Sequence, residues 1–233
     1  MKQLFIFSIL LCYSQLFFSQ DLSNTIIKDS IDTKYKEDQY YLGITYNALS
    51  KMPDGMSQNG FSSGFHFGFI KDIPINKNRD LAFGIGLGYS TNSINNNLRI
   101  TKIQEDVFLY ELLNDSQFTK NKFVQHLVEL PLEFRWRTST ADSYKFWRIY
   151  SGIKLGYVFA SNTKFQSASE KDKNNSINDF NEFQYGLTLA IGYGSWNAYI
   201  NYTLNPIFKK EAKLNSYSID AKMLKIGIMF YIL

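Results

Sequence analysis

Cysteine occurs once in the 233-residue chain, at Cys12, while histidine occurs twice and proline four times. One cysteine excludes an internal disulfide and any thiolate metal cage. No run approaches the roughly 18 consecutive apolar residues that a spanning helix requires. Charge of one sign is not concentrated either: 25 Lys+Arg stand against 21 Asp+Glu, net +4. Without a basic block, nucleic acid is excluded as an expected partner. Neither G-x-S-x-G nor H-E-x-x-H occurs, which removes two common hydrolase signatures. What is abundant is aromatic: 20 Phe, 16 Tyr and 3 Trp make up 17% of the residues. With 45% hydrophobic residues the chain carries enough apolar surface to fold, and its length sets one or two domains.

Residues 1–20 have the layout of a secretory signal peptide: Lys2, an apolar stretch over residues 4–11, then a polar exit at Phe18-Ser19-Gln20-Asp21. Cleavage is expected after Ser19 or Gln20. Leu11 before Cys12 is not the small residue of a lipoprotein site, so the exported chain is expected to hold no cysteine. Residues 21–39 are polar and aperiodic and read as a flexible periplasmic lead-in. Residues 40–233 form the remaining domain.

From Tyr40 onward the pattern has a period of two. Over residues 81–90 (LAFGIGLGYS) nearly every odd position is large and apolar and every even one is tiny. Successive side chains of a strand point to opposite faces, so one face is greasy and the other almost bare. The alternation recurs around Ile44, Phe67, Leu132, Leu155, Leu187, Ile200 and Ile226, which makes eight strands. Eleven of the 14 glycines lie on the non-greasy faces. Glycine weakens a strand in open water but suits a narrow closed interior. Aromatic residues (Tyr40, Phe69, Phe83, Trp136, Trp147, Tyr193, Trp196 and Phe230) cluster near one common end of the strands, as at a water–lipid boundary. Connections alternate long (48–60, 91–123, 161–180, 205–217) and short (71–80, 138–144, 194–195). The expected fold is therefore all-β, an eight-stranded antiparallel up-and-down transmembrane barrel, greasy face to lipid, with both termini periplasmic. The competing reading is a soluble lipocalin-like barrel with the facing inverted.

On the lumen face this parity places Glu129, Glu133, Arg135, Arg148, Lys154 and Lys225. Eight strands enclose just enough room for side chains. Charges shut from water need partners, so these six are the candidate network of a salt-bridged plug; the alternative is a gated pore lined by the same charges. The surplus of cations is expected to be met by water, by tyrosines such as Tyr150 and Tyr199, or by acids of the loops. His66 also points inward. His126, with lipid-facing parity, is the one residue on which a lipid-modifying enzyme would be built. No cofactor is expected and no metal-ligand set stands out; the Asn and Asp residues of 175–179 specify no calcium site.

The order of these elements resembles a known family. Gly64-Phe65-His66-Phe67-Gly68 leads through Asp72-Ile73-Pro74 into the glycine-alternating strand 81–89, followed by Glu129-Leu130-Pro131-Leu132 and Gly152-Ile153-Lys154-Leu155-Gly156-Tyr157. This is similar to the PorT-like outer-membrane β-barrel family, with Val128 in place of the family's leucine. The resemblance implies a barrel without catalytic residues, whose name-giving member is tied to type IX protein secretion. Its expected partners are outer-membrane lipid and other proteins of a secretion or surface-assembly machine. The leading functional expectation is a non-enzymatic scaffold or accessory barrel, with a small gated pore as the alternative.

Overall fold

The computed structural model describes residues 38–104, 107–138, 146–175 and 177–232. The expected signal peptide and nearly all of the lead-in lie outside the described residues. The described residues form thirteen strands in chain order: β1 (Gln39–Ser50), β2 (Ser63–Pro74), β3 (Leu81–Asn95), β4 (Leu98–Gln104), β5 (Val107–Leu112), β6 (Lys120–Arg137), β7 (Trp147–Gln166), β8 (Lys171–Asn175), β9 (Phe183–Tyr193), β10 (Trp196–Thr203), β11 (Lys213–Leu214), β12 (Tyr217–Ser218) and β13 (Lys222–Ile232).

Eight of them close a ring. The order β6-β3-β2-β1-β13-β10-β9-β7 is completed by a β6–β7 pairing. Every pairing is antiparallel, and each barrel strand lies beside its neighbours in the chain. Closure removes the free sheet edges, which is the condition for crossing lipid with strands. The expected eight-stranded up-and-down barrel is what the structure shows. It begins one residue early, because Gln39 already pairs with Ile70. Among the described residues no helix is long and apolar enough to cross a membrane.

Burial follows the parity read from sequence. On β1, Tyr41, Thr45, Asn47 and Leu49 are buried while Tyr40, Leu42, Ile44 and Tyr46 face out. The wall so formed is apolar right around the ring. At the end that carries the termini, Tyr40 packs on Phe69, Trp147 on Tyr193 and Trp196 on Phe230, with ring centroids 4.5–5.5 Å apart. A second belt lies toward the other end, where Phe67 packs on Tyr89, Tyr89 on Phe159 and Tyr157 on Phe183. Two aromatic belts bounding an apolar band define a membrane-facing surface. Leu87, 62% exposed between the belts and paired with Phe69, tests this facing. Leu87→Arg is expected to cost about 2–4 kcal/mol. The readout is the fraction of protein migrating as the compact band without boiling; equal yields for variant and wild type would reverse inside and outside.

One glycine pair shows why the inner faces are bare. Gly68 and Gly88 are opposite each other on β2 and β3, and the Tyr41 hydroxyl lies over both. A Cβ at Gly88 would collide with that oxygen, so a side chain there would push the tyrosine aside.

The expected loops are corrected at one end. Much of 91–123 and 161–180 is strand: β3 runs on to Asn95, β6 starts at Lys120 and β7 reaches Gln166. β4 and β5 form a separate hairpin, and β8 extends the sheet beside β7. A bulge sits in the long β6–β7 pair. His126 pairs with Ala160 and Leu127 with Val158, leaving Phe159 over. An extra residue resets the in–out alternation of its strand. Below the bulge the even residues of β7 (Arg148, Tyr150, Lys154) face in; above it the odd ones (Ser161, Thr163, Phe165) are buried.

Candidate functional site

The interior is built in three layers. Nearest the termini, Asp72 of β2 lies between two arginines of β6. Arg137 grips it with two bonds, Nη1 to Oδ1 and Nη2 to Oδ2, both 2.8 Å, and Arg135 donates from Nη1 to Oδ1 at 2.9 Å. All three side chains are fully buried. Arg135 also donates to Gln39 Oε1, and its guanidinium lies 4.0 Å above the Tyr150 ring. Arg148 lies over Phe146, 4.5 Å from the ring centroid. Fork-shaped guanidinium groups suit this site because they bind a carboxylate through two parallel bonds and stack on rings as well.

The middle layer centres on Glu129 of β6. Lys154 Nζ is 3.0 Å from Oε2, Lys225 Nζ 3.8 Å from Oε1 and His66 Nδ1 3.7 Å from Oε2. Ser90 Oγ donates to Oε1 at 2.7 Å. From there a hydrogen-bonded series runs through Asn92, Asn47 and Thr45 back to His66 Nε2. Between the two layers lie Glu133, with Oε2 3.6 Å from Arg135 Nε, and Tyr199, whose ring is 5.1 Å from Lys154 Nζ.

All six sequence-derived lumen residues are therefore inside. Glu129, Lys154 and Lys225 come together as one group and Glu133 with Arg135 as another, while Arg148 sits at the terminal mouth. Sequence reasoning missed Asp72, Arg137 and Gln39. Parity alone did carry Asp72, two residues on from the inward Ile70, and Arg137, two on from Arg135. Counting these, five cations (Arg135, Arg137, Arg148, Lys154, Lys225) face three carboxylates (Asp72, Glu129, Glu133). Tyrosine rings, as anticipated for Tyr150 and Tyr199, lie against the cations. The space left beside Glu129, Lys154 and Lys225 is about 10 Å³, the room of roughly one water.

The third layer, at the loop end, is an apolar cap. All the long connections feed it, through Leu49, Ile94, Tyr110, Phe123, Phe180, Ile207, Phe208 and Met223 among others. Phe123, Phe180 and Phe208 pack mutually at 4.9–5.8 Å between centroids. Tyr110 donates to Asp179 at 2.7 Å; burial and this carboxylate push its phenol well above the usual range, so it stays a donor. Asparagines tie the loop backbones together: Asn181 Nδ2 reaches the carbonyls of Pro206 and Phe208, and Asn121 Nδ2 those of Asn96 and Leu98, each at 2.8 Å. The only sequence signal for this cap was large apolar residues inside otherwise polar connections.

His126 sits on the outer wall in the second aromatic belt. Its Nδ1 is 2.7 Å from the Tyr89 hydroxyl, and among the described residues it has no serine or carboxylate partner. Among the described residues no group of three or more His, Cys, Asp or Glu side chains is placed to hold a metal ion.

A closed eight-stranded barrel with an apolar belted wall and a filled, charged lumen defines a small outer-membrane barrel protein. The chain belongs to the outer membrane protein beta-barrel domain family, whose pattern it matches over residues 18–209. Among solved structures it is similar to Ail, the attachment invasion locus protein of Yersinia pestis, with 14% identity and a TM-score of 0.34, covering 84% of this chain and 99% of that one. Ail in complex with the heparin analogue sucrose octasulfate is similar too, at 13% identity, a TM-score of 0.35 and the same coverage. No curated protein sequence matches.

Proposed function

We propose that this protein is a closed, non-enzymatic scaffold of the outer membrane, an accessory barrel of a secretion or surface-assembly machine. The observation that carries this reading is the double seal: paired charges fill the lumen, and aromatic residues from the long connections pack over one mouth. A barrel stoppered at two levels is suited to hold surfaces in place rather than to pass solutes. The PorT-like order of its glycine, D-x-P and E-x-P-L elements supports the link to type IX secretion or surface assembly. The short turns lie at the terminal end and the folded connections at the other, the arrangement of barrels whose termini are periplasmic after signal-peptide cleavage. Recognition then belongs to the outward-facing connections, which carry a hollow of about 620 Å³ between Lys51–Asp54 and Leu214–Asp220.

The experiment is a pair of measurements on the full chain. Purified protein in planar bilayers is expected to show no steady conductance, and affinity capture from solubilised outer membrane is expected to recover a defined set of envelope proteins. Steady, ion-selective conductance would establish the pore reading instead. Recovery of the barrel alone would remove the scaffold role.

A further inference from the structure

Above the second aromatic belt, the outer faces of β6, β7 and β8 carry a row of like charges. Lys122 is paired with Lys164, and Lys164 with Lys173, so three lysines lie in register across three adjacent strands. Lys120 and Lys171 flank them, each paired with Gln166. Neighbouring strands are about 4.8 Å apart, so the row of three spans roughly 10 Å. Like charges directly opposite on a sheet are destabilising, and among the described residues no compensating carboxylate shares the face. Glu170 is bound to Arg99 at 2.5 Å, and Asp172 has the opposite parity on β8 and accepts from Asn174. Among the described residues none of the five lysines forms an ion pair; Lys122 reaches only Ser93 Oγ, at 3.3 Å. Desolvation and the charges of Lys120 and Lys164 lower the pKa of Lys122.

Lys164 is on this face only because of the bulge. Even-numbered like Lys154, it would point inward on an unbroken β7, but the extra Phe159 turns it out beside Lys122. Beside the bulge, Phe159 and His126 lie against Tyr89 in the belt, with His126 four residues along β6 from Lys122. That separation is about 13 Å along a tilted strand, which sets the lysine row at headgroup height above the lipid-facing wall.

We propose that the Lys122–Lys164–Lys173 row, flanked by Lys120 and Lys171, is a binding site for the phosphate groups of a phosphorylated lipid headgroup in the leaflet surrounding the loop end. Anionic oxygen between the ammonium groups removes the repulsion that the register creates, and the acyl chains of such a lipid lie along the apolar wall directly below. Assignment to the outer leaflet rests on the orientation proposed above, with the termini periplasmic; the site itself does not.

The test uses the purified full-length barrel with lipid A carrying its phosphates, enzymatically dephosphorylated lipid A, neutral phosphatidylcholine vesicles and a soluble sulfated polysaccharide. Wild type is expected to retain phosphorylated lipid A and neither of the other two lipids. Each lysine near an anionic surface contributes about fivefold, so Lys122→Gln/Lys164→Gln/Lys173→Gln is expected to bind roughly a hundredfold more weakly. Lys77→Gln/Lys102→Gln/Lys210→Gln, with the same charge change at exposed positions elsewhere, is expected to bind as wild type. Equal loss in both triples, equal binding of dephosphorylated lipid A, or tighter binding of the soluble polysaccharide would overturn the proposal. Compact unboiled bands from both triples show that folding is not the cause. Orientation is read separately, by labelling Lys173→Cys on intact cells with a membrane-impermeant maleimide.

Discussion

Asp72→Ala is expected to destabilise the folded barrel by about 3–5 kcal/mol, the cost of leaving a buried ion cluster without one of its partners. The carboxylate is the shared acceptor of Arg135 and Arg137, all three fully buried beside the chain termini. The arginines keep other contacts, Gln39 for one and the Arg79 carbonyl for the other. Glu133, at 3.6 Å from Arg135 Nε, is too far for a hydrogen bond. The measurement is the urea or heat midpoint at which the compact unboiled band is lost. Replacing both arginines by Met in the Asp72→Ala background is expected to recover part of the loss, because the two guanidinium charges leave with the carboxylate while Glu133 gives up its long pair to Arg135. An unchanged midpoint in Asp72→Ala would show that water reaches this end of the lumen.

The second large effect belongs to Glu129. Three groups converge on it, Lys154, Lys225 and His66, and Ser90 donates to it. Glu129→Gln is expected to cost about 3–5 kcal/mol by the same physics. Glu133→Gln is expected to cost far less, since among the described residues its one ion pair, to Arg135, is long. The two carboxylates, equivalent by sequence pattern, are therefore expected to separate in the unfolding midpoint. Adding Lys154→Met and Lys225→Met to Glu129→Gln is expected to restore stability. If instead Glu129→Gln leaves the midpoint unchanged while altering ion selectivity in bilayers, the lumen is a water path and the plug is refuted.

The difference between Glu129 and Glu133 also shows where sequence reading stops. Both sit at inward parity on β6, four residues apart, and parity says only which face they share. Which cation each meets depends on stagger around the ring. Glu129 is opposite Gly156 on β7 but reaches Lys154 diagonally, and it meets His66 and Lys225 across the lumen from strands far away in the chain. The partner of Arg135 lies outside any local pattern for the same reason. Glu133 is its neighbour in sequence, yet Asp72, 63 residues away, holds it.

The sequence by itself determined the strand count, the closed all-β class and which face of most strands meets lipid, because a strand's period of two leaves no intermediate positions and eight separate segments repeat the same assignment. Only the tertiary structure decided the apolar cap, the pairing of the lumen charges and the outward turn of Lys164. The cap sets Phe180, Ile207 and Phe208, from connections without any period of their own, against the strand-end residues Leu49, Phe123 and Met223, so the burial of the connection residues exists only once the ring has brought those connections together. The facing of Lys164 rests on one extra residue at Phe159. Parity is counted along an unbroken ladder, and a bulge that resets the count is set by the partner strand, which no local pattern in β7 contains.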